Sequence, residues 1–173
     1  MLVYTLGTFD LLHVGHLSLL QQCSELGEVL AVGVASDSVV NSYKPNVPVI
    51  PLDQRLEMLE ALGCVDIVRP YYELEYVTAC RELDVDIFVV GEDWGSKPHN
   101  LNVESYLKSK GKRVVKLVYN SRNSSSAIKN DVMAQNPGYS KVAMLRPFVG
   151  AEVNKRSSNE TRLAKPTEQT LIQ

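Results

Sequence analysis

Short, continuous apolar runs alternate along this chain with longer stretches in which apolar residues recur every three or four positions. The runs at 2–6 and 29–35 are apolar and β-prone, as parallel strands buried on both faces would be, and 65–70, 85–90 and 113–119 read as three further strands. After the first of them, Leu17, Leu19, Leu20, Cys23 and Leu26 recur at helical spacing until Gly27 ends the run. Positions 52, 56, 59 and 62 do the same within 52–62, with Asp53 as the expected N-cap and Gly63 at the end. Further helices are expected over 73–83 and 103–110, the second ended by Gly111. Strands and helices in strict alternation predict βαβ units with right-handed crossovers. The fold class is therefore α/β, a Rossmann-like parallel five-stranded sheet with helices on both faces. The segment 39–51, with Pro45, Pro48 and Pro51, reads as a loop lying over the carboxyl edge of that sheet, where α/β proteins place ligands.

A chain of 173 residues suits one such domain with an appendage. The formal charge of −2 and a pI near 5.9 argue against a general nucleic-acid binder or a polybasic membrane-surface protein. Cys23, Cys64 and Cys80 are odd in number and read as free thiols of a reducing compartment. No apolar run approaches the roughly 18 residues needed to span a bilayer, and nothing at the N-terminus looks like a signal peptide, so a cytoplasmic location is expected.

The candidate chemistry sits at the first strand-to-helix junction, in Gly7-Thr8-Phe9-Asp10-Leu11-Leu12-His13-Val14-Gly15-His16. First-turn N–H groups lack intrahelical partners and the helix dipole favours negative charge, so this junction makes an anion site, for which phosphate is the expected occupant. His13 and His16, three apart, would share one face of the first turn, and Gly15 would let a phosphate approach the backbone. Taken alone, an H-x-x-H pair is as readily two surface histidines, one of them a cap; zinc would need further ligands, and the remaining histidine, His99, is remote in sequence.

The whole decapeptide resembles the nucleotide-binding signature of the cytidylyltransferase-like nucleotidyltransferase superfamily, whose core is H-x-G-H after a strand. Gly91-Glu92-Asp93-Trp94, at the end of the fourth strand, resembles the Gly-Asp-Asp-Trp of the glycerol-3-phosphate cytidylyltransferase type. Ser124-Ser125-Ser126-Ala127-Ile128 resembles the superfamily's second signature, in its heptose-phosphate adenylyltransferase form. One of these serines is explained as a helix cap; three together suit a second phosphate cradle. The resemblance covers residues 1–133, the nucleotidyltransferase domain, and leaves 134–173 as a C-terminal extension, disordered or a docking arm.

The resemblance implies His13, His16 and Lys44 as catalytic residues. Lys44 lies in the proline-rich loop and is the only lysine before Lys97. It implies Thr8, Phe9, Asp10, Gly15, Asp93, Arg122, Ser124, Ser125 and Ser126 as nucleotide-binding, Trp94 as an aromatic wall, and Lys44 with Arg55 as acceptor-binding. Magnesium is the expected cofactor, carried on the triphosphate, with Asp10 as a candidate ligand. The sequence departs from the cytidylyltransferase pattern at Gly63-Cys64, where an Arg-Tyr pair is usual, at Tyr76-Val77, where a lysine is usual, and before Ser124, where a glycine is missing. The implied function is transfer of CMP from CTP to a small phosphate monoester, a glycerol-3-phosphate-like polyol or amino-alcohol phosphate, for envelope or capsule polymers, with release of pyrophosphate. The alternatives are an ATP-dependent adenylyltransferase acting on a sugar phosphate and a catalytically silent nucleotide-binding module. A homodimer is expected; no nucleic-acid or membrane partner is.

Overall fold

The structure, a computed structural model, describes residues 1–43, 47–118 and 124–136. In chain order the elements are β1 (Leu2–Gly7), α1 (Val14–Ser24), β2 (Val29–Ala35), α2 (Asp37–Tyr43), α3 (Leu52–Glu60), β3 (Ile67–Tyr71), α4 (Val77–Glu82), β4 (Ile87–Gly91), α5 (Pro98–Ser109), β5 (Arg113–Leu117) and α6 (Ser125–Gln135). The five strands form one parallel sheet in the order β3-β2-β1-β4-β5. The α/β fold read from the apolar runs is the fold observed.

The pleat explains how short apolar strands serve two cores at once, because successive side chains point to opposite faces. Val3, Leu30, Val32, Val34, Ile87 and Val89 face one way, against Leu20 and Cys23 of α1 and Leu59 of α3. Tyr4, Ala31, Phe88 and Val90 face the other, against Cys80 of α4 and Val103 and Leu107 of α5. Burial pushes the Cys23 and Cys80 thiols up to about 12, so both are inert core residues; Cys64 is free as well.

Two expectations are corrected. The segment 39–51 is not loop throughout. It begins in α2, which Ser36 opens by accepting the Val39 N–H at its Oγ (3.2 Å), and Val39 and Val40 are buried against Ala35, Tyr71 and Leu74. Tertiary packing overrides the weak helix propensity of a Ser-Val-Val-Asn stretch. α3 starts at Leu52 as expected, but its N-cap is Pro51, two residues before the expected Asp53, so Asp53 stands in the first turn, where its charge suits the dipole without capping. Among the described residues no helix is long and apolar enough to cross a membrane.

The strand order fixes the crevice. From β1 the chain moves outward through β2 and β3, then returns to lay β4 on the other side of β1. β1 and β4 therefore flank the switch point of the sheet, and ligands of open α/β sheets bind outside the carboxyl ends of such a pair.

Gly33 on β2 tests the packing of the second face: a Cβ there would lie 2.2 Å from the Tyr4 hydroxyl oxygen. Gly33→Ala is expected to lower the unfolding free energy by about 1–3 kcal/mol in urea titrations. Adding Tyr4→Phe, which deletes the clashing atom, should recover part of that loss; no recovery would place the strain elsewhere.

Candidate functional site

The β1–α1 turn is built around Asp10. Phe9 and Leu11, on either side of it, adopt left-handed backbone with φ of 52° and 49°, a conformation that L-residues keep only where the surroundings enforce it. One carboxylate oxygen of Asp10 accepts the N–H groups of Val49 (2.9 Å) and Ile50 (3.0 Å); the other pairs with the Lys129 ammonium at 2.7 Å. Its backbone carbonyl accepts the Ser125 hydroxyl at 2.5 Å. Burial alone would raise the Asp10 carboxyl, but Lys129 and the two N–H groups outweigh it and hold the group below the ordinary carboxylate range. The turn is thus tied to the end of the proline-rich segment and to the start of α6.

Beyond it, His13 caps α1: its Nδ1 accepts the Gly15 N–H at 3.1 Å. A neutral imidazole that accepts at Nδ1 carries its proton on Nε2, so His13 is both a cap and a donor. The His16 ring stacks on it, with centroids 3.9 Å apart and planes 21° apart, and is backed by Phe9 at 5.3 Å. Burial, and the neighbouring His13, depress His16 to about 4, while burial alone depresses His13. Both rings are neutral at pH 7.

A cavity of about 530 Å³ opens over this turn. It brings Thr8, Phe9, Asp10 and His16 together with Asp93 at the end of β4 and with Ser124, Ser125 and Ser126 at the start of α6. Ser124 caps α6 by accepting the Ala127 N–H (3.1 Å), Ser125 is tied to Asp10, and Ser126 is exposed. A Cβ at Gly91 would lie 2.8 Å from a carboxylate oxygen of Asp93, an exposed side chain that would turn aside. The start of α6, the neutral His16 imidazole and a row of hydroxyls thus face one space, with His13 stacked on His16 outside the lining and Asp10, Glu92 and Asp93 along the wall; the helix start and its hydroxyls suit an anion.

Several expectations change. Arg55 does not face an acceptor: it is 1% exposed, and its guanidinium donates to the carbonyls of Ile50, Thr8 and Ala35 and pairs with Asp37 at 2.6 Å. It knots the carboxyl ends of β1 and β2 to α3 from within. Gly15 gives its N–H to the His13 cap and so offers none to a ligand while that cap holds. Phe9 is 3% exposed and serves as a floor under His16. Asp10, with both oxygens engaged, is poorly placed to take a metal, and the described residues contain no cluster of three His, Cys, Asp or Glu side chains that could hold one. Lys44, Arg122 and the extension beyond residue 136 lie outside the described residues. Two residues that reading the sequence missed are Lys129, which neutralises Asp10, and His99, which the fold brings to the same edge of the sheet.

A family model described as Cytidylyltransferase-like matches residues 4–155. The chain belongs to that family. It is 44% identical over 91 residues to the FAD synthase of Methanosarcina acetivorans, covering 53% of this chain and 59% of that protein. It is 34% identical over 129 residues to the D-beta-D-heptose 1-phosphate adenylyltransferase of Bordetella bronchiseptica, covering 73% and 78%. A match of 39% identity to the bifunctional protein HldE of Helicobacter pylori spans only 21% of that longer protein. Among solved structures, a lipopolysaccharide core biosynthesis protein from Thermoplasma volcanium superposes with a TM-score of 0.58 at 27% identity, covering 69% of this chain and 95% of that one.

Arg55→Lys should lower the unfolding free energy by up to roughly 3–5 kcal/mol, since one ammonium cannot serve the acceptors of a buried guanidinium. An effect confined to one substrate's KM, with stability unchanged, would restore Arg55 to a binding role. For His16, a folded pKa of about 4 against an ordinary 6.5 means that the unfolded state takes up the proton first. Its contribution to stability is present above pH 6.5 and is lost as pH falls towards 4. The imidazole proton shifts of His16 should titrate near 4 by NMR, two units or more below those of an exposed histidine.

Proposed function

We propose that this family member is an ATP-dependent adenylyltransferase that joins AMP to a phosphate monoester and releases pyrophosphate. The observation that carries the proposal is the single cavity in which His16, Asp93 and Ser124, Ser125 and Ser126 meet at the carboxyl ends of β1 and β4. A nucleoside triphosphate would lie with its phosphates between the starts of α1 and α6 and its sugar towards Asp93.

An oxygen of the acceptor's phosphate attacks the α-phosphorus in line. The bond from that phosphorus to the oxygen bridging to the β-phosphate breaks, and pyrophosphate leaves. The attacking oxygen is already anionic near pH 7, so no general base is required and the protein contributes positioning and charge stabilisation. Neutral His16 donates a hydrogen bond to oxygens on which charge builds, and His13 does so through Nε2. Lys44 and Arg122 are proposed to balance the charge on the leaving pyrophosphate. Magnesium would arrive with the triphosphate, whose phosphate oxygens and water supply most of its ligands.

Adenylyl transfer is preferred over cytidylyl transfer on two grounds. A relative covering most of this chain is named for adenylyl transfer, and Ser124-Ser125-Ser126-Ala127-Ile128 has the heptose-phosphate adenylyltransferase form. CTP is the second reading, favoured by Gly91-Glu92-Asp93-Trp94.

Magnesium-dependent pyrophosphate release, measured with ATP, CTP, UTP and GTP over pooled phosphate monoesters, decides between them. Release confined to ATP is the expected result; release confined to CTP would return the protein to the cytidylyltransferases, and measurable nucleotide binding without turnover would make it a binding module. His16→Ala should cut release by roughly 10²–10³, the usual loss for one preorganised donor to a developing oxyanion.

A further inference from the structure

The anchors that the described residues give α6 lie at its start. Its first turn is tied to the β1–α1 turn through the Ser125 hydroxyl and the Lys129 ammonium, both held by Asp10. Ser125, Ile128, Lys129, Val132 and Met133 stand at i, i+3, i+4, i+7 and i+8, which is one face of a helix. The face that meets Asp10 therefore continues as an apolar stripe along the remaining turns. That stripe is uncovered: Val132 is 43% exposed, no residue of α6 is buried, and among the described residues no α6 side chain joins the apolar clusters on either side of the sheet. The opposite face carries Ala127, Asn130, Asp131 and Ala134, all exposed. A helix of 11 residues is marginal in water unless an amphipathic face is packed, so the stripe calls for a partner.

From this arrangement we propose that residues 142–149 of the same chain fold back onto this stripe and hold the helix whose first turn walls the cavity. Asn136-Pro137-Gly138, directly after α6, carries proline and glycine in the order of a type II turn, which suits a reversal of the chain along the helix. Val142-Ala143-Met144-Leu145 and Phe148-Val149 then gather most of the large apolar residues of the C-terminal segment; beyond Val153 only Leu163, Leu171 and Ile172 remain. The link from Asn136 to Val142 reaches up to about 20 Å when extended. An 11-residue helix is roughly 16 Å long, so every turn of α6 is within range. The match to the family model runs to residue 155, past α6 and through this stretch. A second copy of the chain would meet the stripe only at the concentration of the protein, whereas a tethered segment meets it at an effective concentration on the order of millimolar. Because Ser124, Ser125 and Ser126 line the cavity from the start of α6, the docked segment braces that wall from outside. The inference is independent of which nucleotide the cavity takes.

In the full-length chain, Cys64→Ser leaves only Cys23 and Cys80, whose buried thiols are pushed up to about 12 and form an unreactive background. Into it go Val132→Cys or, as a control on the outer face, Asn130→Cys, each combined in turn with Val142→Cys, Leu145→Cys or Phe148→Cys. Oxidised glutathione is the oxidant, and disulfides within one chain and between two are separated on non-reducing gels. At least one pair with Val132→Cys should close within the chain tenfold or more faster than the same partner with Asn130→Cys. Rates that do not distinguish the two faces would describe an undocked tether and overturn the proposal. Crosslinks forming mainly between chains would overturn it too, by giving the stripe to a second copy. Hydrogen exchange supplies an independent readout on the unlinked protein. Leu145→Asp with Phe148→Asp should speed exchange of the α6 amides after Lys129 tenfold or more and leave those of β1 and β4 unchanged. Unaltered exchange in α6 would overturn the proposal.

Discussion

Everything at the carboxyl edge of the sheet hangs on one carboxylate, that of Asp10. It sits between two residues in left-handed backbone, and its oxygens hold the backbone of residues 49 and 50 on one side and Lys129 on the other. Its own carbonyl takes the Ser125 hydroxyl. Three segments far apart in sequence are therefore fixed to one residue: the β1–α1 turn, the approach to α3 and the start of α6. Asp10 thereby holds the start of α6 against the turn that leads into α1.

Arg55 carries the same job inward. Its guanidinium binds the carbonyls of Thr8, Ala35 and Ile50, so the ends of β1 and β2 and the entry to α3 form one rigid corner beneath the cavity. Rigid support under a strained turn is what allows the turn to keep its geometry. His13 illustrates the economy of the arrangement: one ring nitrogen caps α1, the cap sets the tautomer, and the tautomer aims the other nitrogen's proton outward.

How much of this was legible follows from the range of the interactions. The central strands were legible because burial on both faces forces continuous apolar runs, while the edge strands β3 and β5 are half-exposed and interrupted by charges; the crevice was legible because a ten-residue signature spans the whole turn. Arg55 was misread, although a signal existed: it lies three residues after Leu52 and four before Leu59, on the helix face that the apolar spacing assigns to the core. Pro98, a residue suited to the first turn of a helix, marked the start of α5 and would have brought His99 to the sheet edge; starting that helix at 103 left His99 remote. The pairing of Asp10 with Lys129 had no local signal, since only the return of the chain through β4 and β5 brings α6 against the first turn. For the same reason the aromatic corner formed by Tyr71, Tyr76, Trp94 and His99, drawn from four separate segments, becomes visible only in the fold.

The central claim is attack at the α-phosphorus of a nucleoside triphosphate lying between α1 and α6. Phosphorus NMR of the protein with magnesium, ATP and the pooled phosphate monoesters tests it most directly, because it identifies which P–O bond breaks. The account predicts one equivalent of pyrophosphate for each new diphosphate linkage between AMP and the acceptor, and no free ADP. ADP accumulating with a phosphorylated product or with orthophosphate would mean attack at the γ-phosphorus, and would contradict it.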